Sequence, residues 1–427
     1  MKLEALPLTR VVNFNAPELH HLALALAHAG ALAAYVRPYV DKGRRWERAI
    51  AGLPGIGPAW NASFGRRTIS DHRLAALTHE AGVWPDLCAA VVGRSTWLPS
   101  ELRHGATARL HRSVREAVAG AAGRAPGAAD CVVAYEGFAL PAFRAAAAAG
   151  SGRRLLNYPV AHHRRRRRVR LEENDREPDF AATWPGFDDW PAGHEERLDE
   201  EIALADAVLV GSGYASESFV EAGIDAARMR VVPYGVELAV FHPVEAAPRA
   251  GFEVIYAGQL TQRKGIAYLL RGYRSFARAG TRLTLVGSIV GSDRPLLPYA
   301  DVFEHVAHRT RPALAAMYRA AHVFVLPTLI EGMPLVVLEA MACGLPVIVT
   351  ANGPADIVRD GVDGYIVPER DADSIADRLD RLHRDPALRE HMGRNAAERA
   401  LAFSWAAYAD KAFAVLRERG DAARSRP

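Results

Sequence analysis

The chain has 427 residues and a mass of 46.4 kDa, and 50% of its residues are hydrophobic and 24% charged. This composition excludes a disordered, collagen-like or fibrous chain, and the length predicts two or three domains. Lys and Arg together number 53 and Asp and Glu 49, for a net charge of +4. Only four basic residues are lysines, at positions 2, 42, 264 and 411, so a lysine in a functional motif is informative.

The positive charge is concentrated in one run, residues 162–170, which holds six arginines. Nucleic-acid-binding proteins usually spread basic residues over a face and intersperse aromatic ones, so no nucleic-acid partner is expected. A phosphorylated ligand or an anionic membrane surface fits a concentrated patch better. The alternative is a solvated run that nearby acidic residues partly neutralise. The side chains predicted to contact a membrane are Arg164, Arg165, Arg166, Arg167 and Arg168.

The cysteines and the N-terminus predict a cytoplasmic chain. Cys88, Cys131 and Cys343 are far apart and odd in number, so we expect buried thiols rather than a disulfide framework or a zinc site. The N-terminal segment lacks a signal pattern, and its most apolar stretch, residues 22–36, is too short to span a bilayer. Any membrane contact is therefore expected to be peripheral, at the inner face of the cytoplasmic membrane.

Short apolar runs alternate with helical patterns along the chain, which is typical of parallel sheets covered by helices. In the first half, the predicted strands are 10–14, 131–135, 155–158 and 207–210, and the predicted helices are 18–29, 106–122, 141–149 and 194–205. In the second half, the predicted strands are 252–257, 282–286, 323–326 and 346–349. A last helix, 404–417, is expected to pack on the outside of the second domain.

The same pattern predicts the domain organisation. Residues 1–232 form an N-terminal Rossmann-like domain, 233–250 a hinge that prolines and a glycine interrupt, 251–402 a C-terminal domain, and 403–427 a helix and tail. Two α/β halves imply a ligand cleft between them, where the carboxyl ends of strands meet helix N-termini.

The most informative motif is residues 326–348. A strand ends near Leu326, a loop carries Glu331, Pro334 opens a helix, and residues 344–346 end it. The free amides and positive dipole end of this helix predict a phosphate site. Because Pro334 has no N–H, the donors are expected to be the amides of Met333, Leu335 and Val336.

Glu331 and Glu339 are eight positions apart and flank this predicted phosphate site. Carboxylates accept hydrogen bonds from vicinal hydroxyls, so the pair suits a ligand with a hydroxyl-rich ring on each side of its phosphates, such as a nucleotide sugar. The alternatives are that Glu331 complements the helix dipole and that Glu339 is a solvated helix residue. A second motif, residues 254–266, predicts a strand, a polar turn and a helix, with Lys264 directed at phosphates.

Together, the Glu331-to-Glu339 spacing, the segment 339–347, the turn from Gly258 through Arg263 and Lys264, and residues 232–236 resemble the C-terminal domain of retaining glycosyltransferases of family 4. The resemblance covers about residues 205–405. It implies an α/β chain of GT-B fold, with two Rossmann-like parallel-sheet domains that face a central cleft.

The resemblance also implies roles for individual residues. Glu331 would bind hydroxyls of the donor sugar, Glu339 the ribose, and Lys264 with the helix amides the diphosphate. Family members usually have Arg where this chain has Gln259, so part of the charge compensation for the phosphates is either missing, which would weaken the donor contact, or supplied by Arg263. The family's N-terminal Gly-Gly loop is absent from residues 13–18. The implied donor-binding set is Gly258, Gln259, Arg263, Lys264, Gly332, Met333, Pro334, Leu335, Val336 and Glu339.

The implied reaction retains the anomeric configuration through front-face attack on the donor sugar, with no metal and no cofactor. The implied catalytic residues are Glu331 and Lys264, with His162 or His163 touching the donor; a surface histidine pair in the arginine run is the alternative. Asn15, Ala16 and Glu136 are the candidate acceptor contacts. The acceptor would be a saccharide or a lipid-linked saccharide, in the synthesis of a cell-surface polysaccharide or glycolipid.

Two other motifs resemble binding motifs of other protein families but are not expected to have those functions here. Asp371 and Asp373 form a DxD sequence, but they precede a helical pattern and Asp373 is predicted to be its N-cap. Residues 211–216 resemble a dinucleotide fingerprint but lack its third glycine, so NAD is not expected. A GT-B-like nucleotide-sugar epimerase and a catalytically weak nucleotide-sugar-binding protein are the alternative functions.

Overall fold

The computed structural model describes residues 5–54, 60, 67–94, 100–124, 129–150, 152–184, 193–244, 251–307 and 309–418. Part of the predicted hinge, residues 245–250, and part of the predicted tail, residues 419–427, lie outside the described residues. The described residues form two sheets, and every strand pairing described in them is parallel.

The first sheet has seven strands in the order β3-β2-β1-β4-β5-β6-β7. The strands are β1 Thr9–Val12, β2 Leu32–Arg37, β3 Thr78–Glu80, β4 Cys131–Tyr135, β5 Arg153–Asn157, β6 Ala207–Val210 and β7 Met229–Val231. The helices along this part of the chain are Pro17–His28, Arg45–Ala51, His72–Ala76, Val83–Arg94, Ser100–Arg124, Leu140–Ala148, His163–Arg176, His194–Leu204 and Gly213–Glu221.

The second sheet has six strands in the order β10-β9-β8-β11-β12-β13. The strands are β8 Phe252–Ala257, β9 Thr281–Val286, β10 Glu304–Val306, β11 Val323–Leu326, β12 Val347–Thr350 and β13 Gly364–Val367. The helices that follow β8 are Ile266–Phe276, Arg311–Ala320, Leu335–Ala342, Ala372–Arg384, Pro386–Ala400 and Trp405–Arg417. The central strand β11 is buried along its whole length, as expected for a parallel sheet covered on both faces.

Both sheets have the doubly wound strand order, so the predicted pair of Rossmann-like parallel sheets is confirmed. In each sheet the order reverses at one point, between β1 and β4 in the first and between β8 and β11 in the second. Ligands of such sheets bind at the carboxyl ends of the strands beside that reversal. The topology alone therefore indicates one candidate binding edge in each sheet.

The chain divides into two compact units. The first contains Met1–Asn157, Glu195–Leu209 and Lys411–Pro427, and the second Tyr158–His194 and Val210–Asp410. Residues 158–194 thus group with the second unit, although the sequence places them before the hinge, because Glu173 is buried there against the loop that follows β8. The domain boundaries predicted at 232, 250 and 402 stay predictions.

The last helix begins at Trp405, one residue after its predicted start. From Lys411 onward it belongs to the first unit, where Arg153 donates a hydrogen bond to the carbonyl oxygen of Glu418 at 2.8 Å. The expectation that this helix packs only on the second domain is therefore wrong.

Two smaller expectations are also wrong. The helix Ala372–Arg384 is capped by Asp371, which accepts a hydrogen bond from the amide of Ser374 at 2.9 Å, so Asp373 lies inside the first turn. Cys131 and Cys343 are buried as predicted, but Cys88 is exposed because it lies on the outer face of its helix together with Trp84.

The arginine run forms the helix His163–Arg176. Val169 and Glu173 are buried, and Arg164, Arg167 and Arg168 are exposed. Within the parts of the chain that are described, no helix is long and apolar enough to cross a membrane.

Candidate active site

The candidate site lies at the carboxyl ends of β8 and β11, where the strand order of the second sheet reverses. The loop after β8 begins at Gly258, with φ of +145°, and the loop after β11 begins at Pro327. The two loops touch, because the amide of Leu329 donates a hydrogen bond to the carbonyl oxygen of Arg263 at 3.0 Å. The fold therefore brings the two predicted donor-binding loops together.

Gly265 makes this close approach possible. It follows the 3₁₀ turn Gln262–Lys264 in the left-handed region, with φ of +71°, and its amide donates to the carbonyl oxygen of Gln262 at 2.8 Å. A Cβ at this position would lie 2.0 Å from the carbonyl oxygen of Pro327. Only glycine fits both the backbone conformation and the space.

Arg263 and Lys264 both form ion pairs with the carboxylate of Glu331. The Arg263 guanidinium also donates to the carbonyl oxygen of Ile330 at 3.2 Å. Lys264 and Glu331 are each only 8% exposed. Glu331 is therefore a buried partner of two cations, and not a solvated charge that complements a helix dipole.

Burial and the mutual charges shift the pKa values of this cluster. Burial lowers the pKa of Lys264 to about 8, although Glu331 opposes the shift. Burial by itself would raise the pKa of Glu331, but the charges of Arg263 and Lys264 outweigh it and the pKa is lowered. At neutral pH the cluster contains two cations and one anion, so it retains a net positive charge that suits an anionic ligand.

The helix Leu335–Ala342 begins beside this cluster, with Pro334 as its N-cap and no side chain capping it. Its first intrahelical bond runs from the amide of Val337 to the carbonyl oxygen of Pro334, at 3.1 Å. In the part of the chain that the structure describes, no residue accepts a hydrogen bond from the amides of Leu335 and Val336. These amides are available to an anion, as at other helix N-termini.

Gly332 and Met333 hold the loop before the helix in place. A Cβ on Gly332 would lie 1.7 Å from the carbonyl oxygen of Pro159, so the segment after β5 packs directly on this glycine. The sulfur of Met333 accepts a hydrogen bond from the amide of Tyr234 at 2.9 Å. Both residues are buried, so their contribution to the site is a fixed backbone.

Glu339 is in the same helix and only 7% exposed. Burial raises its pKa to about 7, and Arg311, 3.8 Å away, opposes the shift. Among the described residues, none donates a hydrogen bond to its carboxylate. The protein therefore leaves the hydrogen-bonding capacity of this buried carboxylate largely unused. Because Glu339 is buried, the alternative that it is a solvated helix residue is excluded.

Gln259 is exposed at the start of the loop after β8. Its carbonyl oxygen accepts a hydrogen bond from the hydroxyl of Tyr256 at 2.5 Å, which fixes its backbone. Within the described ranges, its side chain has no hydrogen-bond partner. The guanidinium of Arg263 lies at Glu331, and its compensation for Gln259 at the phosphates stays a prediction.

His162 and His163 are buried, at 1% and 3% exposure, so they are not a surface pair. His162 is the N-cap of the helix His163–Arg176, and its Nδ1 accepts from the amide of Arg164 at 3.2 Å. Burial and the neighbouring arginines lower the pKa of His163 to about 3, so this ring is neutral at physiological pH. The structure gives His162 a capping function, and contact of either ring with a donor stays a prediction.

The predicted acceptor contacts lie beside the strand reversal of the first sheet. Asn15 is exposed, Ala16 is the buried N-cap residue of the helix Pro17–His28, and Glu136 is half-buried just after β4. Sequence analysis missed Glu201, whose pKa burial raises to about 7. Its carboxylate accepts hydrogen bonds, at 2.7, 2.9 and 3.0 Å, from the amides of Gly137, Ala139 and Leu140.

Comparisons with known proteins agree with this geometry. Residues 251–385 match the family model described as "Glycosyl transferases group 1". The matched region contains both loops and the helix Leu335–Ala342. Residues 251–385 are thus similar to group 1 glycosyl transferases, and the two parallel sheets have the GT-B fold.

The curated relatives of this chain include D-inositol 3-phosphate glycosyltransferases. That of Kribbella flavida is 33% identical over 258 residues, which cover 54% of this chain and 61% of the relative. That of Mycobacteroides abscessus is 32% identical over 240 residues, which cover 51% of this chain and 52% of the relative. The chain thus matches little more than half the length of these relatives.

Solved structures support the fold over nearly the whole chain. A sucrose-phosphate synthase from Thermosynechococcus elongatus has a TM-score of 0.61 and 22% identity, and the match covers 96% of this chain and 98% of that one. HepE of Anabaena in complex with UDP-glucose has a TM-score of 0.60 and 14% identity, with 96% and 99% coverage. At these identities the likeness concerns the GT-B fold alone.

One buried residue that the sequence did not indicate fixes the loop after β8. Glu173, at 1% exposure, accepts hydrogen bonds from Gln262 Nε2 at 2.6 Å, from the Tyr268 hydroxyl at 2.8 Å and from Arg370 Nε at 2.8 Å. Gln262 immediately precedes Arg263 and Lys264. Because Glu173 and Gln262 are 89 positions apart, no local motif could have indicated this contact.

Proposed function

We propose that the chain transfers a sugar, with retention of anomeric configuration, from a nucleotide-sugar donor to a saccharide or lipid-linked acceptor. The observation that carries this proposal is the buried cluster of Arg263, Lys264 and Glu331 beside an uncapped helix N-terminus. The match of residues 251–385 to the group 1 glycosyl transferases and the similarity of fold to HepE, which was solved in complex with UDP-glucose, support it.

The donor would bind along the two loops and the first turns of the helix. Lys264, Arg263 and the amides of Leu335 and Val336 would hold the diphosphate, because cations and helix N-termini both favour phosphate oxygens. Glu339 would accept hydrogen bonds from the ribose, which supplies the donors that its buried carboxylate lacks in the protein. Glu331 would accept from hydroxyls of the transferred sugar.

The chemistry requires stabilisation of the leaving group. As the bond between the anomeric carbon and the phosphate oxygen breaks, negative charge develops on the nucleoside diphosphate. Lys264, Arg263 and the helix amides are already in place to stabilise that charge. We propose that these groups make a metal unnecessary.

Glu331 is a poor candidate for a nucleophile, because two cations hold its carboxylate. We therefore propose front-face attack by the acceptor hydroxyl on the anomeric carbon. The oxygen of the departing phosphate takes the hydroxyl proton, and the products are the glycosylated acceptor and the nucleoside diphosphate. Because the acceptor hydroxyl attacks the same face of the sugar ring from which the phosphate departs, the anomeric configuration is retained.

The acceptor would meet Asn15, Ala16 and Glu136 at the first strand reversal. The activity named for the relatives makes D-inositol 3-phosphate one acceptor to test. We further propose a role in cell-surface polysaccharide or glycolipid synthesis at an anionic membrane. Such contact would rest on Arg164, Arg167 and Arg168, which are exposed, whereas Arg165 and Arg166 are half-buried.

The test is the release of nucleoside diphosphate from a panel of UDP-, GDP- and ADP-sugars, with and without a panel of acceptors. We expect one donor to bind and to release its nucleoside diphosphate only when an acceptor is present. Glu331→Gln and Lys264→Gln should bring this release close to background, while Lys411→Gln, an exposed lysine, should not. Conversion of the nucleotide sugar to an epimer, or binding with no acceptor-dependent release, would refute the transferase.

A further inference from the structure

A second charged group lies at the carboxyl edge of the first sheet. Arg37 is the last residue of β2, and it is only 5% exposed. Of the described residues, only Tyr35 accepts a hydrogen bond from its guanidinium, from Nη1 at 3.3 Å. The buried Nε has no acceptor.

The carboxylates near Arg37 are engaged elsewhere. Glu80, its neighbour on β3, accepts a hydrogen bond from the amide of Val40 at 3.0 Å and pairs with Arg44. Glu47 pairs with Arg44 as well, at 3.0 Å. No carboxylate among the described residues forms an ion pair with Arg37. A buried cation without a counter-ion costs folding free energy, so its presence calls for a ligand.

The other groups at this edge do not supply a counter-ion either. Glu18 accepts a hydrogen bond from Asn157 Nδ2 at 2.9 Å, burial raises its pKa, and among the described residues it forms no ion pair with Arg37. Burial first and the charge of Arg37 second lower the pKa of His20 to about 4, so this ring is neutral. Nδ1 of His20 is buried and has no hydrogen-bond partner.

The helix Pro17–His28 starts at the same edge; its N-cap residue Ala16 makes no side-chain cap bond, and Glu18 lies in its first turn. Asn13, at the end of β1, donates from Nδ2 to the Tyr35 hydroxyl at 2.8 Å and to the carbonyl oxygen of Ala16 at 2.9 Å. These bonds fix the start of the helix beside the tyrosine that holds Arg37. A twelve-residue helix N-terminus and a buried guanidinium both favour a negative charge at this edge.

We propose that Arg37, with the start of the helix Pro17–His28 and the ring of His20, binds an anionic group, a phosphate or a carboxylate, at the strand reversal of the first sheet. This edge also holds the predicted acceptor contacts Asn15, Ala16 and Glu136. The anion belongs to the acceptor, and this second step rests on the proposed function. Acceptors that carry a phosphate or carboxylate are therefore favoured over neutral ones.

Hydrogen exchange of the full-length protein, read by mass spectrometry, tests the site. Inorganic phosphate should slow exchange in peptides that cover residues 13–20 and 32–37 of the wild-type protein. Arg37→Gln should remove this protection, and Arg37→Lys should keep part of it. Equal protection in wild type and Arg37→Gln, or no protection in either, would overturn the site.

Thermal unfolding without phosphate separates a binding residue from a structural one. Since Arg37 has no counter-ion, Arg37→Gln should unfold at the same temperature as wild type or at a higher one. A marked decrease in the unfolding temperature would show that Arg37 supports the fold, and would contradict the proposal. The neighbouring variant Arg44→Gln, which loses ion pairs to Glu47 and Glu80, should unfold at a lower temperature and is the matched control.

The source of the anion is resolved by three probes in the same exchange experiment. Glucose 6-phosphate should protect residues 13–20 at a concentration at least ten-fold lower than inorganic phosphate, whereas glucose should not protect them. Equal potency of the two phosphates would assign the site to free phosphate and overturn the acceptor step. Protection of residues 258–266 and 331–337 reports the donor site separately, so failure of the proposed donor site and failure of the Arg37 site are distinguishable.

Discussion

The ammonium of Lys264 and the carboxylate of Glu331 form a buried ion pair, and Arg263 binds the same carboxylate. The two loops that carry these residues follow different strands, β8 and β11, and meet at the strand reversal. With two cations on one anion, the cluster has one positive charge in excess. A diphosphate beside it would balance that charge and draw Lys264 away from Glu331, which would free the carboxylate for a sugar hydroxyl.

Replacement of Lys264 by alanine should lower turnover by roughly 10²- to 10³-fold, the range typical for loss of one preorganised group that stabilises transition-state charge. The fold should survive, because Glu331 keeps its pair with Arg263. Steady-state kinetics and circular dichroism check both points. Lys411→Ala removes an exposed lysine and should have wild-type turnover; an equal loss in both variants would contradict the assignment.

The rate should fall at alkaline pH. The pKa of Lys264 is lowered to about 8, so the free enzyme loses this ammonium charge as the pH rises through that value. Because kcat/KM reports groups of the free enzyme, kcat/KM for the donor should decrease above about pH 8. Lys264→Arg keeps a cation that does not titrate near pH 8, so this variant should lose the decrease of kcat/KM at alkaline pH. A profile of Lys264→Arg that falls at the same pH as wild type would exclude Lys264 as its cause.

The ionised carboxylate of Glu339 should lower the stability of the folded protein. Its pKa is raised to about 7, so its contribution to stability is present below the ordinary carboxyl value and is lost as the pH rises through about 7. Glu339→Gln should therefore be more stable than wild type at pH 8, by on the order of 2 kcal/mol. The difference should shrink toward pH 5.

Urea unfolding at the two pH values measures this difference, and donor titration of the same variant should show weaker binding. A Glu339→Gln protein that is less stable than wild type at pH 8, or that binds donor as tightly, would remove Glu339 from the site.

Gly332→Ala should destabilise the site, because the new Cβ would lie 1.7 Å from the carbonyl oxygen of Pro159. The loop of Glu331 or the segment after β5 must then shift, at a cost typical of overpacking, about 1–3 kcal/mol. Donor affinity should fall together with the unfolding temperature. At Gly52 the nearest atom to an added Cβ is 3.4 Å away, so Gly52→Ala should be tolerated. Comparable unfolding temperatures for the two variants would show that the contact at Gly332 is not restrictive.

Glu173→Ala should destabilise the protein by about 1–3 kcal/mol, because it leaves Gln262 Nε2 and the Tyr268 hydroxyl without their buried acceptor. Glu173→Gln keeps an acceptor oxygen and should recover part of the loss. Chemical unfolding gives the free energies. Exchange of residues 261–266 should also be faster in Glu173→Ala, since Gln262 loses its side-chain partner; unchanged exchange there would mean that Glu173 does not hold the loop.

The strands predicted most accurately from the sequence are apolar runs. Strands β4, β6, β8 and β11 have the predicted bounds, because each is an apolar run, interrupted in β8 by Glu253 alone. The strand β2 and the edge strands β3, β7, β10 and β13 were missed. In β3 and β10 the sequences Thr-His-Glu and Glu-His-Val contain no apolar run. Their strand conformation depends on pairing with a neighbour, which a local pattern does not contain.

The helix His163–Arg176 was also missed. Its arginines give no apolar periodicity, and the positions that bury it are Val169 and Glu173. Burial of a charged residue at 173 depends on partners that are distant in sequence, so the pattern could indicate only a charged surface.

The residues of the candidate site could likewise be predicted only where they lie in local motifs. Glu331, Glu339 and Lys264 lie in local motifs that sequence could identify, and the structure brings Glu331 and Lys264 into contact. Arg37 and Glu201 could not be identified, because each looks like an ordinary surface charge in the sequence. Their burial, and the absence of an ion pair at Arg37 among the described residues, arise from tertiary packing alone.

The central claim is tested most directly by a time course of proton NMR spectra on the full-length protein with the donor that binds and an acceptor. The account predicts that nucleoside diphosphate and glycosylated acceptor appear in equal amounts, and that the new glycosidic bond has the anomeric configuration of the donor. Glu331→Gln should abolish both signals. A product of inverted configuration, or free sugar in place of a glycosylated acceptor, would contradict a retaining transferase.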